Sequence, residues 1–68
     1  MAKTFIIIHK NDSGDQWYAT SENGVIDMDS RLPALFFRME KLGWRLNSVN
    51  IQMSVPTEIH YLLEKEEK

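Results

Sequence analysis

The side chains that could do chemistry in this sequence are few, and two histidines come first. His9 and His60 each lie in a strand-like stretch and could meet on neighbouring strands, where imidazole nitrogens can bind zinc. A structural zinc site is almost always four-coordinate, and the chain has no cysteine to complete one. We therefore interpret the pair as edge or surface histidines, and we predict neither a metal site nor a cofactor.

An oxygen-rich segment, Asn11-Asp12-Ser13-Gly14-Asp15, is the second candidate for a site. It lacks the spaced ligands and the terminal glutamate of a calcium loop, which favours a solvated turn. The sequence also contains no P-loop, no Gly-x-Gly-x-x-Gly, no cysteine nucleophile and no His-Glu-x-x-His. These patterns predict a protein that is not an enzyme.

The length of the chain limits how it can be stabilised. Its 68 residues suffice for one domain, predicted to span residues 1–68 with a charged, frayed tail from about Glu64. Without disulfides, a thin core of this size needs good packing or self-association. The absence of cysteine, of a signal-peptide pattern and of a long apolar run predicts a cytoplasmic protein.

Charge is unevenly distributed along a chain whose formal net charge is -2. All charged residues in the range 11–30 are acidic, and most charged residues in the range 31–45 are basic. The acids are Asp12, Asp15, Glu22, Asp27 and Asp29, and the basic residues are Arg31, Arg38, Lys41 and Arg45. Each block is either a solvated face or a surface that orients a charged partner.

The first half of the chain has the pattern of a β-sheet. Residues 3–10 predict a central strand, because apolar side chains occupy both of its faces. Residues 16–21 have the aromatic and β-branched content of a second strand, and residues 25–28 predict a short third one. Asn23-Gly24 between them predicts a tight turn whose two central residues have positive φ.

One helix follows. Ser30 is the expected N-cap, which makes Pro33 the third helical residue, where a missing N–H costs nothing. Gly43 is expected to end the helix, since glycine adopts a left-handed conformation freely. The apolar stripe between these limits consists of Leu32, Leu35, Phe36, Met39 and Leu42.

Two more strands are predicted after the glycine. The alternation of apolar and polar residues changes phase between Leu46 and Val49, which predicts a β-bulge or a short break near Asn47-Ser48. Pro56-Thr57 predicts a turn, and alternation from Ile59 onwards predicts the last strand.

These elements predict an α+β fold: a small two-layer antiparallel sheet made of two β-hairpins, with one helix packed on one face. Because the first strand is apolar on both sides, the face away from the helix should not be bare. A second copy of the chain is the simplest cover, so we expect a homodimer.

Phe37 is the oddity of the helix, because it lies nearly opposite the middle of the apolar stripe. Either the N-terminal segment or a second subunit covers it, or it anchors a partner. The candidate partner-binding residues are Phe37, Arg38, Lys41 and Ala34 on the helix, with Asp12 and Asp15 in the acidic loop.

Residues 42–49, LGWRLNSV, followed by a strand and Tyr61-Leu62-Leu63-Glu64-Lys65, resemble a family of small bacterial and phage-encoded domains of unknown function. That family has a helix running into Gly-Trp-Glu-Leu-Val-Ser-Val and then a closing strand. Arg45 and Asn47 depart from this pattern. The resemblance covers about half the chain and implies a strand-helix-hairpin fold with no known catalytic residues.

Gly43 and Trp44 carry that resemblance, and we interpret them as a structural seam between helix and sheet. A large aromatic directly after the glycine can close the end of the apolar stripe, here between Leu42 and the sheet. The alternative is that Trp44 contacts a ligand.

Three functions remain in order of preference. The first is a binding or regulatory module acting through protein–protein contacts, such as a phage- or bacterium-encoded inhibitor or adaptor. The second is nucleic-acid binding by the basic helix face and the sheet aromatics Trp17, Tyr18 and Tyr61, which the acidic pI of about 5.5 disfavours. The third is an enzyme or a small-ligand pocket, which so thin a core rarely encloses.

Overall fold

The computed structural model describes residues 2–10, 14–53 and 58–66, which form one helix and one five-stranded sheet. The elements are β1 (Lys3–Lys10), β2 (Trp17–Ser21), β3 (Gly24–Asp29), α1 (Leu32–Lys41), β4 (Arg45–Gln52) and β5 (Glu58–Glu66). The strand order is β3-β2-β1-β5-β4, and all neighbours are antiparallel. The predicted class is therefore correct. The two-hairpin layout is only partly correct, because β1 to β3 form a three-stranded meander.

The central position predicted for the first strand is confirmed. β1 pairs with β2 on one side and with β5 on the other. Ile6 and Ile8 are fully buried on the helix side, whereas Phe5 and Ile7 on the opposite side are 46% and 40% exposed. Among the described residues, no helix is both long and apolar enough to cross a membrane.

The turn between β2 and β3 is tight, but its conformation differs from the prediction. Ser21 pairs with Gly24, so Glu22 and Asn23 occupy the centre of the turn, and neither has a positive φ. Only Gly24 does, with φ 117°. The Ser21 hydroxyl stabilises the turn by accepting the Asn23 N–H and donating to the Gly24 carbonyl. The Ser21 side chain thus stabilises the turn without the positive φ that was predicted for both of its central residues.

The helix begins one residue later than predicted. Its N-cap is Arg31 and not Ser30, and Pro33 is the second helical residue. The Asp29 carboxylate explains the shift, because its Oδ1 accepts the Arg31 N–H at 2.8 Å and holds Arg31 in an extended conformation. Helical hydrogen bonding starts at the Arg31 carbonyl, which accepts from the Leu35 N–H at 3.2 Å.

The core lies between α1 and one face of the sheet. Leu35 and Met39 are buried there against a cluster that comprises Ile6, Ile8, Ala19, Trp44 and Leu63. Leu32 and Phe36 pack on its margin, as their places in the stripe predict. Leu42 was expected to belong to the stripe but is 57% exposed, because α1 ends at Lys41 and the chain turns away at Leu42.

The prediction that Gly43 ends the helix is confirmed. Gly43 has φ 96°, its N–H donates to the Glu40 carbonyl at 3.0 Å, and the Trp44 N–H donates to the Met39 carbonyl at 3.0 Å. This pair of bonds is the Schellman motif, which satisfies carbonyls that a helix end leaves without partners. Trp44 is only 8% exposed and joins the cluster that contains Met39. The predicted seam is therefore present, although Leu42 takes no part in it.

The last two strands confirm one prediction and correct another. The register of β4 on β5 shifts between Leu46 and Ser48, at the predicted bulge. The tail predicted from Glu64 is instead part of β5, which continues to Glu66 and pairs with β1 through Phe5 and Glu64. The predicted turn at Pro56-Thr57 lies outside the described residues.

Candidate functional site

The face of the sheet that α1 does not cover is the first candidate surface, and we call it the open face. Cross-strand register places Ile7 beside Leu62 on β5 and beside Thr20 on β2. Phe5, Ile7, Val25 and Met28 are all more than one-third exposed. The open face consists of Lys3, Phe5, Ile7, His9, Tyr18, Thr20, Val25, Met28, Arg45, Ser48, Asn50, Gln52, Glu58, His60, Leu62, Glu64 and Glu66. Its centre is apolar and its two ends are polar.

The two histidines occupy one end of the open face. Their ring centroids are 5.9 Å apart on neighbouring strands, as the sequence suggested. His9 Nε2 lies 3.1 Å from Thr20 Oγ1, and His60 Nε2 lies 3.1 Å from Glu58 Oε1. Within the described residues, no group of three or more potential ligands is arranged to hold a metal ion. The histidines line a shallow, open depression that can exchange hydrogen bonds with a partner.

A buried carboxylate occupies the other end. The side chain of Glu64 is only 12% exposed, and its oxygens accept from Asn47 Nδ2 and lie 3.1 Å from Lys3 Nζ and 3.7 Å from Arg45 Nη2. The hydrogen bond from Asn47, followed by that from Lys3, holds the Glu64 pKa below its usual value. Glu64 thus offsets one of the two positive charges at this end, and Glu66, which lies opposite Lys3 in the strand register, supplies a second acid. The open face therefore presents little net basic charge to a phosphate backbone.

The outer face of α1 carries most of the residues predicted to bind a partner. Phe37 is 58% exposed and points away from the side that buries Leu35 and Met39. Lys41 Nζ lies 4.7 Å from the centre of the Phe37 ring, a cation–π contact one helical turn along. Ala34 is half-buried on the same helix. Phe37 is therefore an apolar side chain that the described chain leaves more than half exposed.

Arg38, also predicted to bind a partner, is fastened to β3. Its Nε and Nη2 donate to the two oxygens of Asp27 at 2.9 and 3.0 Å, and its Nη1 donates to Asp29 Oδ2 at 2.7 Å. Nη2 also donates to the Met28 carbonyl at 3.0 Å. This arrangement, the Arg38 clamp, ties the helix to the edge strand. This clamp was not predicted, because the acids of β3 were interpreted as part of a block that faces either solvent or a charged partner.

Of the two acidic residues of the predicted site, only Asp15 lies among the described residues, and no described contact joins it to the helix. Asp15 is exposed just before β2. Asp12 lies outside the described residues. Their proposed part in partner binding stays a prediction.

Acid should weaken the Arg38 clamp. Hydrogen bonds from Arg38 hold the pKa values of Asp27 and Asp29 below the ordinary value of 3.8. A carboxylate with a lowered folded-state pKa stabilises the fold fully above its unfolded pKa, and this contribution disappears as the pH falls through the folded pKa. We expect the free energy of unfolding to decrease below about pH 4, and Arg38→Met to remove most of that decrease.

Urea unfolding at neutral pH and at about pH 3 measures this effect. Lys41→Met is the matched control, because it removes a helix cation outside the clamp and should keep the wild-type pH dependence. Glu64 should leave a residual dependence in both variants, since its pKa is also lowered. An Arg38→Met protein that loses as much stability in acid as the wild type would contradict the role given to the clamp.

The sheet aromatics named for nucleic-acid binding lie on opposite faces. Trp17 and Tyr61 pack on the helix side, with ring centroids 6.1 Å apart, and Phe36 meets Tyr61 edge-on at 5.2 Å. Only Tyr18 lies on the open face, opposite His9. Stacking of successive bases needs several exposed rings on one surface. Two of the three predicted rings serve the core instead.

A second apolar surface, which the sequence analysis did not anticipate, lies on the helix side of β4 and β5. Leu46 pairs with Leu63 and Val49 pairs with Tyr61, so these side chains share the face that α1 packs against. However, α1 lies nearest β2 and β3, and its side chains reach across β1 only as far as Leu63 and Tyr61 of β5. The uncovered residues, which we call the shelf, are Leu46, Val49, Ile51 and Ile59, each between 37% and 60% exposed.

Comparison with known proteins adds no relative from which a site could be transferred. The resemblance carried by Gly43 and Trp44 therefore stays a prediction, and the candidate surfaces rest on the chain's own geometry. No protein-family model, curated protein sequence or solved structure matches this chain significantly.

Proposed function

We propose that this protein is a small non-enzymatic binding module that acts through protein–protein contacts made by its open face. The observation that carries the proposal is the exposure of Phe5 and Ile7 on the central strand of the sheet. Apolar side chains at the centre of a face, ringed by polar groups, are the usual anatomy of a protein interface. A phage- or bacterium-encoded inhibitor or adaptor would work in this way.

The polar ends of the open face support a protein partner. Thr20, His9 and His60 offer hydrogen-bonding groups at one end, and Glu64 with its hydrogen-bonded and charged partners lies at the other. Such groups fix the orientation of a partner, while burial of the central apolar side chains supplies most of the affinity. Both requirements are met without any nucleophile or metal.

Nucleic-acid binding is the weaker alternative. Binding to phosphates requires free basic charge, but Arg38 is paired with two aspartates and Arg45 and Lys3 share Glu64. The formal net charge is -2. A protein partner would leave fewer charges unpaired on this surface than a nucleic acid would.

The test is capture of partners from a native lysate of the source organism by the tagged protein, with and without nuclease. We expect one protein partner whose capture is unaffected by nuclease. Ile7→Glu should reduce the amount captured at least about tenfold, because a charge buried in the apolar centre costs more free energy than the contact supplies. Asn50→Glu is the matched control. It introduces the same charge on the open face but at the polar edge strand.

Two results would overturn the proposal. Bound material that disappears with nuclease and with rising salt would support nucleic-acid binding instead. A partner that binds Ile7→Glu as well as the wild type would exclude the centre of the open face as the contact.

A further inference from the structure

The shelf exists because one helix is too narrow for this sheet. Five strands about 4.8 Å apart span about 19 Å, whereas a helix with its side chains is about 10 Å wide. α1 lies nearest β2 and β3, and its buried side chains reach across β1 to Leu63 of β5. The outer part of the same face, formed by β4 and the Ile59 end of β5, is left exposed.

We propose that α1 of a second copy of this chain packs on the shelf, and that the contact is reciprocal. Each helix then packs on its own sheet through Leu35 and Met39 and on its partner's shelf through Phe37. The interface is isologous, because both copies contribute the same two surfaces.

The outer face of α1 suits this position. Phe37 projects from the side opposite the buried stripe, so it cannot reach its own sheet. Val49 and Ile51 of the shelf are apolar and are 46% and 60% exposed. The ammonium of Lys41 can remain over the Phe37 ring and reach water at the edge of the contact.

A two-fold axis along the strands, passing near the boundary of β1 and β5, produces this arrangement. It places two helices side by side between two sheets, and their combined width of about 20 Å matches that of the sheet. Both open faces then point outwards. The dimer would present two copies of the partner-binding surface proposed above, which raises avidity for a repeated partner.

The buried area is adequate for a stable dimer. With roughly 150–200 Å² for a whole large apolar side chain, the exposed fractions of Phe37 and the four shelf residues amount to about 400–500 Å² per chain. Apolar atoms make up about 60% of an interface, so the whole contact would be about 700–800 Å² per chain. That is close to the standard size of a specific protein–protein interface.

The first test is the mass of the purified protein by light scattering at tens of micromolar. We expect a dimer whose dissociation constant rises at least about tenfold in Val49→Glu and in Phe37→Glu. Ile7→Glu is the matched control, because it puts the same charge on the open face and should leave the dimer intact. Circular dichroism checks each fold, and Ile51→Glu replaces any shelf variant that does not fold.

The second test uses the absence of native cysteines. We expect a short bismaleimide to link Phe37→Cys to Val49→Cys when the two single variants are mixed, but to link neither variant when it is alone. The proposal is overturned by a monomer at that concentration, by a mixture that does not link, or by a dimer lost with Ile7→Glu and kept with Val49→Glu. The last result would move the second copy to the open face.

This test is separate from that of the proposed function. Loss of partner capture in Ile7→Glu with an intact dimer supports both ideas. A dimer that captures no partner supports the reciprocal helix–shelf contact but not the proposed function.

Discussion

Replacing Trp44 with alanine is expected to unfold most of the protein at physiological temperature. Trp44 is 8% exposed and belongs to the same small cluster as Leu35 and Met39. Removal of a buried tryptophan side chain typically costs about 3–5 kcal/mol. A chain of this length has a total stability of roughly 3–10 kcal/mol, so the loss is comparable to the whole. Urea unfolding followed by circular dichroism measures it.

Leu42→Ala is the matched control for this variant. Leu42 lies two residues away and belongs to the predicted apolar stripe, yet it is 57% exposed. We expect its replacement to cost less than about 1 kcal/mol, because little of its surface is buried. If Leu42→Ala destabilised the chain as much as Trp44→Ala, the assignment of the seam to Trp44 would be wrong.

These two residues show why part of the fold could be predicted from sequence and part could not. Helical periodicity places Leu42 on the buried side of the stripe, but periodicity applies only while the helix continues. Gly43 was recognised as the end of the helix, yet the regular helix already stops at Lys41, so Leu42 no longer follows the helical geometry of the stripe. Which side chains near a helix end reach the core also depends on long-range strand pairing, which no local pattern reports.

Local signals were the dependable ones. The unbroken apolar run around Ile7 identified a central strand, and the phase change after Leu46 located the bulge. Both features follow from the two-residue period of a strand, which can be read directly from the sequence. The pairing of β1 with β5 joins residues about 60 positions apart, and the strand order that it creates was not predicted.

Some features of the candidate sites could likewise be predicted from local sequence patterns, and others could not. Exposure of Phe37 follows from its angle on the helix and was anticipated. The Arg38 clamp and the shelf were not, because each depends on which strand lies beneath the helix. Arg38 looks solvated beside Lys41 in the sequence, but the sheet brings Asp27 within hydrogen-bonding distance.

Replacing Gly43 with valine is expected to be the second most damaging change. At φ 96° a β-branched residue is strained, and such backbone strain costs about 1–3 kcal/mol. A Cβ atom at this position would lie 3.5 Å from Cε of Lys65, which is ordinary contact, so the cost arises from the backbone and not from a clash. A loss of about 2 kcal/mol lowers the melting temperature by roughly 8–16 °C in a domain of this size.

Two further variants separate the free-energy cost of backbone strain from that of lost packing. Gly43→Asn should be milder than Gly43→Val, because asparagine tolerates positive φ better than any β-branched residue. Trp44→Phe keeps an aromatic ring in the core and should cost only about 1 kcal/mol. The Schellman motif predicts this order because it requires the positive φ at Gly43, whereas the core needs only bulk at Trp44. Equal melting temperatures for Gly43→Val and Trp44→Phe would show that packing, and not the left-handed turn, dominates at this joint.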